Sequence, residues 1–325
     1  TMFDVVRDNP ADSHPLLEGW IQRDLAVELF RAAGQDFEAL KKKAQQRDFT
    51  PVPLTGASLD AKYAVKTEVI TSHNVAARLE GSTHPDETVI YSAHWDHIGV
   101  GEPDARGDRI FNGALDNASG TASLIELARG FAKAPRPQRS VVFLAVTAEE
   151  KGLLGSEYYA THPLYPLEKT VAMINMDGMA PFGPSRDFGI YGAARFELLD
   201  QLKDVAKGWD IRYTPDPKPE AGLFFRSDHF PFAKRGVPAL SWSAGQDWVD
   251  GGVAAGKKAS EDYTAKRYHQ QGDEWQPDWV FAGAARDLEV LYTLGNQLAN
   301  SRSWPNWSKD EAFRAVRDAS ADQRK

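Results

Sequence analysis

The sequence predicts an α/β fold, with a mixed, mostly parallel central sheet covered by helices on both faces and a small helical segment ahead of it. Three observations lead there. Val89-Ile-Tyr91, Val141-Val-Phe-Leu-Ala-Val-Thr147 and Val171-Ala-Met-Ile-Asn-Met176 are too apolar for surface loops and short enough for buried strands. Segments with helical spacing, such as Thr121 to Phe131, separate or follow them. His94, Glu149 and Asp177 come directly after these runs, where parallel or mixed sheets place their ligand sites, just beyond the carboxyl ends of strands.

At 325 residues, 42% of them hydrophobic, the chain can bury one large α/β core and carry a smaller appendage. The net charge of -8 and pI near 5.5, with no basic stripe, argue against a nucleic-acid partner. No apolar run approaches the roughly 20 residues that a membrane helix requires. The absence of Cys excludes disulfides and thiolate metal ligands without fixing a compartment.

Residues 1–65 read as an N-terminal segment and residues 66–325 as the main domain. Gly19 to Gly34 has helical periodicity and ends on Gly, Phe37 to Gln46 makes a second, more polar helix, and Pro51-Val-Pro-Leu-Thr-Gly56 reads as a linker. Tyr63 to Leu79 alternates well enough for long strands, and Glu80 to Asp86 is a turn before the first motif strand. Gly113-Ala-Leu-Asp116-Asn-Ala-Ser-Gly120 leads into the helix from Thr121, so Asp116 stands at a helix entry where a capping carboxylate would also be at home. Phe196 to Ala206 and Val280 to Leu298 read as amphipathic helices covering the sheet, and Trp304 and Trp307 anchor the polar tail.

His94, Asp96, His97, Asp116, Glu149, Glu150, Asp177 and His269 form the chemical set. Singly, each has an ordinary reading, since an Asp in a loop commonly caps or turns the chain and a Glu pair is commonly a solvated face. Jointly they offer the imidazole nitrogens and carboxylate oxygens that zinc favours, delivered by separate strands. Adjacent side chains on a strand face opposite ways, so Glu149 and Glu150 must lie where the strand has become a loop.

The segments AHWDH, GALDNASG, AVTAEEKGLLGS, INMDG, RSDHFPF and YHQQGDE, in this order over roughly residues 66 to 300, resemble the co-catalytic dizinc aminopeptidase family, whose relatives include glutamate carboxypeptidase, the transferrin receptor and the glutaminyl cyclases. The resemblance implies a zinc exopeptidase fold and two zinc ions per chain, one held by His94 and Asp177 and the other by Glu150 and His269, with Asp116 bridging. It further implies Glu149 as general base toward a water shared by the ions, and a cis peptide after Asp116. Asp96 would orient His94 by accepting its second N–H, and Tyr268 would donate to the developing oxyanion. His97 matches no family ligand and reads as lying behind the ligands or in the pocket wall. Ser227-Asp228-His229 reads as pocket-shaping.

The substrate expected is a peptide with a free, apolar N-terminal residue; a carboxypeptidase, a glutaminyl cyclase and a non-catalytic binding protein are the alternatives. Glu149, Asp177 and Asp228 are the carboxylates that would meet a free amine, whereas Arg226, Lys257, Lys258 and Arg267 are the candidates for a substrate carboxylate, with a solvated surface charge as the ordinary reading of each. Phe225 and Trp242, with His229 nearby, would supply an apolar wall, although core packing is an equal reading for these aromatics. Residues 1–50 resemble the closing portion of a protease-associated domain found in many secreted relatives. The resemblance thus implies a secreted or periplasmic protein, while no secretory signal opens this chain.

Overall fold

The computed structural model describes residues 2–7, 17 and 19–324. The chain divides into two compact units, Val6–Thr71 and a larger one of Thr1–Val5 with Ser72–Lys325, so the division falls a few residues beyond the 65/66 boundary read from sequence. In the smaller unit, α1 (Arg23–Ala32) and α2 (Phe37–Lys43) are shorter than their periodic stretches. Gly34 turns the chain at φ 69°, Asp36 caps α2 by accepting the Ala39 N–H at 2.9 Å, and Phe30 meets Phe37 edge-on.

Long strands from Tyr63 do not form. The only strand there is β1 (Val75–Leu79), and Tyr63, Val65, Val69 and Ile70 are exposed. Alternation needs a neighbouring strand to satisfy its backbone, and among the described residues only Val75 onward finds one.

The larger unit continues with β2 (His84–His94), a small hairpin of β3 (Gly99–Val100) and β4 (Ile110–Phe111), α3 (Ser119–Lys133), β5 (Arg139–Val146), α4 (Leu154–Thr161), β6 (Thr170–Met176), β7 (Asp187–Ile190), α5 (Glu197–Lys207), β8 (Arg212–Tyr213), α6 (His229–Lys234), β9 (Ala239–Ala244), α7 (Gly252–Lys266), α8 (Ala282–Asn300) and α9 (Arg314–Ala319). The seven-stranded sheet has the order β1-β5-β2-β6-β9-β7-β8. Its centre, β5-β2-β6-β9, is parallel, and β1 and β7 join antiparallel. The sheet is therefore mixed, with a largely buried parallel centre whose strands carry continuous apolar runs.

Alternation along β2 assigns the two faces. Tyr91 donates its hydroxyl to Leu291 O of α8 at 2.7 Å and packs on Phe131 of α3, so α3 and α8 cover that face. Ser92 points the opposite way and donates to Asn175 Oδ1, which leads to Ser227 and the helix α6 behind it. The tail is secured as expected, since Trp307 is wholly buried, stacks on Phe196 and donates its indole N–H to Gly236 O. No helix among the described residues is long and apolar enough to cross a membrane.

Candidate metal centre

The parallel strands end side by side, with His94 of β2 in register with Val146 of β5, so the residues that follow each strand converge. His94 is the last residue of β2, Asp177 follows β6, and Glu149 and Glu150 follow β5 in a turn opened by Ala148 at φ 53°. Asp116 arrives from the loop ahead of α3 through a cis peptide to Asn117, and His269 sits beyond α7 at φ 57°. Left-handed backbone at non-Gly residues costs of order 1–3 kcal/mol and persists where surrounding contacts overdetermine it.

The structure brings the expected ligand set together. His94 Nε2 lies 3.2 Å from both Asp116 Oδ1 and Asp177 Oδ1. On the other side, His269 Nε2 is 3.2 Å from Asp116 Oδ2 and 3.1 Å from Glu150 Oε2. Asp116 therefore turns one oxygen to each imidazole.

These separations fit a cation in each gap. Zinc–ligand bonds of about 2.0–2.1 Å in tetrahedral geometry set neighbouring donor atoms roughly 3.3 Å apart. His94 Nδ1 donates to Asp96 O at 3.0 Å, which leaves the Nε2 lone pair facing two carboxylate oxygens. That arrangement is repulsive until a proton or a metal ion occupies the gap. Burial alone would depress His94, but Asp116 and Asp177 outweigh it and hold its pKa well above the ordinary value. Asp116 and Glu150 push His269 up to about 9. Burial would raise Glu150, yet His269 and His97 bring it down to about 2. Each direction says that the carboxylates demand positive charge here.

Glu149 stands apart from those contacts. Burial pushes its carboxyl well up, the charges on Asp228 and Asp177 push the same way, and His94 opposes them. A buried carboxyl near a reaction centre but not paired with an imidazole can take up and release a proton. Tyr268 stacks on His269 with ring centroids 3.9 Å apart, and burial followed by Asp116 raises its phenol to about 12.

Several expectations require correction. Asp96 does not orient His94 with its carboxylate, whose nearer oxygen is 3.7 Å from Nδ1; the backbone carbonyl of Asp96 does so instead. The carboxylate accepts the N–H groups of Glu149 and Glu150 at 3.0 and 3.3 Å, because the turn after Ala148 leaves those donors without a ladder partner. Asp228, His229 and Trp242, expected to meet substrate, are buried to 1% exposure or less and reach no solvent. Asp228 accepts from Ser156 at 2.6 Å, and Trp242 stacks on Phe188, so the packing reading holds for the indole. Phe225 is 57% exposed and stays available as a wall. Lys257 and Lys258 pair along α7 with Glu261 and Asp262. His97 lies inside the cluster, with Nδ1 2.7 Å from Glu150 Oε1.

Other residues of the quoted segments hold the ligands in roles that the sequence did not assign to them. Ser227 donates to Asp177 Oδ2 at 2.7 Å, leaving Oδ1 for the His94 side, so the RSDH segment acts through Ser227. Asn117 donates to Met176 O and accepts from Gly120 N and Gly178 N, sewing the end of β6 to the start of α3. Asp273, wholly buried, accepts from Leu115 N and Asp116 N. Its place in the YHQQGDE segment was the available signal, since an acidic residue beside a candidate ligand is a natural candidate to position it.

A model of peptidase family M28 matches residues 74–292, which include every residue of this cluster. The chain belongs to that family. Among curated relatives, the mouse protein named aminopeptidase NAALADL1 is 31% identical over 200 residues, covering 54% of this chain and 24% of its own length. A probable zinc metalloprotease of Pyrenophora teres f. teres is 40% identical over 103 residues, 32% of this chain and 22% of that one. This M28 chain thus spans about a quarter of the length of the curated relatives it matches. The aminopeptidase from Aneurinibacillus sp. strain AM-1 shares the fold with TM-score 0.51 at 21% identity, over 70% of this chain and 48% of that one. LapA aminopeptidase of Legionella pneumophila does so with TM-score 0.51 at 16% identity, over 70% and 56%.

Proposed function

We propose that this M28 chain is a dizinc aminopeptidase that removes apolar residues from the free amino terminus of peptides. The observation that carries the reading is Asp116, whose two oxygens diverge to His94 and His269 at 3.2 Å each. His94, Asp177 and Asp116 would hold one ion, and Asp116, Glu150 and His269 the other. Two such ions supply Lewis acidity, lowering the pKa of a water toward neutrality and polarising the scissile carbonyl.

The chain's own groups do the rest. Glu149, in the turn after β5 beside Glu150, accepts the proton released as water attacks and returns it to the departing amine nitrogen. The Tyr268 phenol donates to the oxygen on which negative charge develops. Glu149 and Asp177 favour a substrate ammonium near the centre, and exposed Phe225 offers apolar contact that grades side chains by about 1–3 kcal/mol per methylene. The name of the mouse relative supports the aminopeptidase reading over a carboxypeptidase.

Leu-terminated peptides with and without N-acetylation, each with a free or amidated carboxyl end, test this. Cleavage is expected to vanish on acetylation and survive amidation. The opposite pattern overturns the aminopeptidase reading in favour of a carboxypeptidase, in which Arg226, close enough to oppose the rise of Tyr268, would meet the substrate carboxylate. Chelation should abolish turnover and zinc should restore it; full activity in protein shown by elemental analysis to be metal-free rejects the metal assignment.

A further inference from the structure

We infer that His97 is a direct ligand of the second cation, sharing it with Asp116, Glu150 and His269, so that the two metal positions are unequal. The inference rests on the two-ion reading above and adds a ligand to it.

His97 Nδ1 lies 2.7 Å from Glu150 Oε1, yet the pair is not aligned as a hydrogen bond, and both ring nitrogens and Glu150 Oε1 are buried with no hydrogen-bond partner among the described residues. Burying such groups unpaired costs about 1–3 kcal/mol each, and a cation between Nδ1 and Glu150 Oε1 would serve those two atoms while Nε2 carries the ring proton. Donor atoms of His97, Asp116 and Glu150 all fall within 4.8 Å of one another, as those of His94, Asp116 and Asp177 do. The His97 ring also meets the His269 ring at 5.8 Å between centroids, so the two imidazoles flank one space. A right angle between bonds of about 2.0 Å sets donors roughly 2.8 Å apart, close to the His97–Glu150 spacing and in keeping with coordination expanded beyond tetrahedral.

The backbone is shaped for this ring. Gly113 has φ 61°, and a Cβ there would lie 2.7 Å from His97 Cγ and 2.4 Å from Asp116 O. Only glycine lets the loop carrying Asp116 close over His97. The asymmetry follows directly. The second position receives an additional protein donor, whereas the His94 side keeps more of its coordination open for water and substrate. The second position should therefore fill first and empty last.

X-ray absorption on the zinc-loaded wild type, together with a competitive zinc titration of the metal-depleted protein, tests the inference. The expected wild-type spectrum requires more imidazole than His94 and His269 supply. In His97→Gln, one imidazole should be lost from the spectrum, and the tighter of two binding steps should weaken by at least about 10-fold. Wild-type scattering accounted for by His94 and His269 alone overturns the assignment and, where the variant's tighter step still weakens, leaves His97 as a brace for Glu150; an unchanged tighter step in the variant overturns both roles. A wild type that binds no metal at this centre would sink the proposed function instead, so the two failures are distinguishable.

Discussion

Asp273 holds Asp116 by the backbone, its Oδ1 accepting the Leu115 N–H and its Oδ2 the Asp116 N–H, both at 3.0 Å. A buried carboxylate is acceptor-only and suits two adjacent donors, whereas an amide would turn an N–H₂ toward one of them. Asp273→Asn should therefore leave a buried donor facing a donor, at a cost of about 1–3 kcal/mol, and shift the bridging carboxylate. Weaker zinc affinity with a lowered Tm is the expected result. Wild-type values for both would show that the clamp does not position the bridge.

Glu149→Gln should cut kcat by at least about 10²-fold while both metals stay bound, because Glu149 is not one of the proposed ligands. Asp116→Asn should instead lose metal, since its two oxygens serve the two sides of the centre. Elemental analysis beside turnover separates them. Equal metal content in the two variants contradicts the division between base and bridge.

The acid limb of stability should involve Glu157, which joins α4 to the end of α6 through Arg235 at 2.7 Å and Lys234 at 2.9 Å. Burial would raise this carboxyl, but the Arg235 and Lys234 contacts outweigh burial and lower it from 4.5 to about 2. A folded pKa below the unfolded one contributes stability that is complete above about 4.5 and is lost as pH falls toward about 2. Glu157→Gln should therefore unfold more readily than wild type at neutral pH, and the difference should shrink across that window. A difference that stays constant from pH 7 to pH 2 argues against the linkage.

Gly120→Ala should disturb the centre from behind. A Cβ at this position would meet Asn117 Oδ1 at 2.3 Å and Met176 O at 2.5 Å, the atoms that tie Asp177's strand to α3. Forcing a methyl into that contact should cost about 1–3 kcal/mol and loosen metal binding. Denaturant unfolding and zinc titration check both, and a variant indistinguishable from wild type would mean that the helix start can move away freely.

The sequence by itself determined the strand runs, the edge at which they deliver side chains, and the identity of the groups gathered there. Val89 to Tyr91, Val141 to Thr147 and Val171 to Met176 read as buried strands, and His94, Glu149, Glu150 and Asp177 follow from where those strands stop. Such features are local, written in the periodicity and composition of a few neighbouring residues. What only the tertiary structure decided is where each side chain beyond the strands points. Asp96 satisfies the turn at Glu149 instead of the His94 ring, Asp228 is sealed behind Ser156, Tyr63 to Thr71 finds no strand partner, and Asp273 reaches across the chain to Leu115 and Asp116. These outcomes depend on which orphaned N–H or lone pair lies nearby after folding, and residues separated by up to 158 positions supply it.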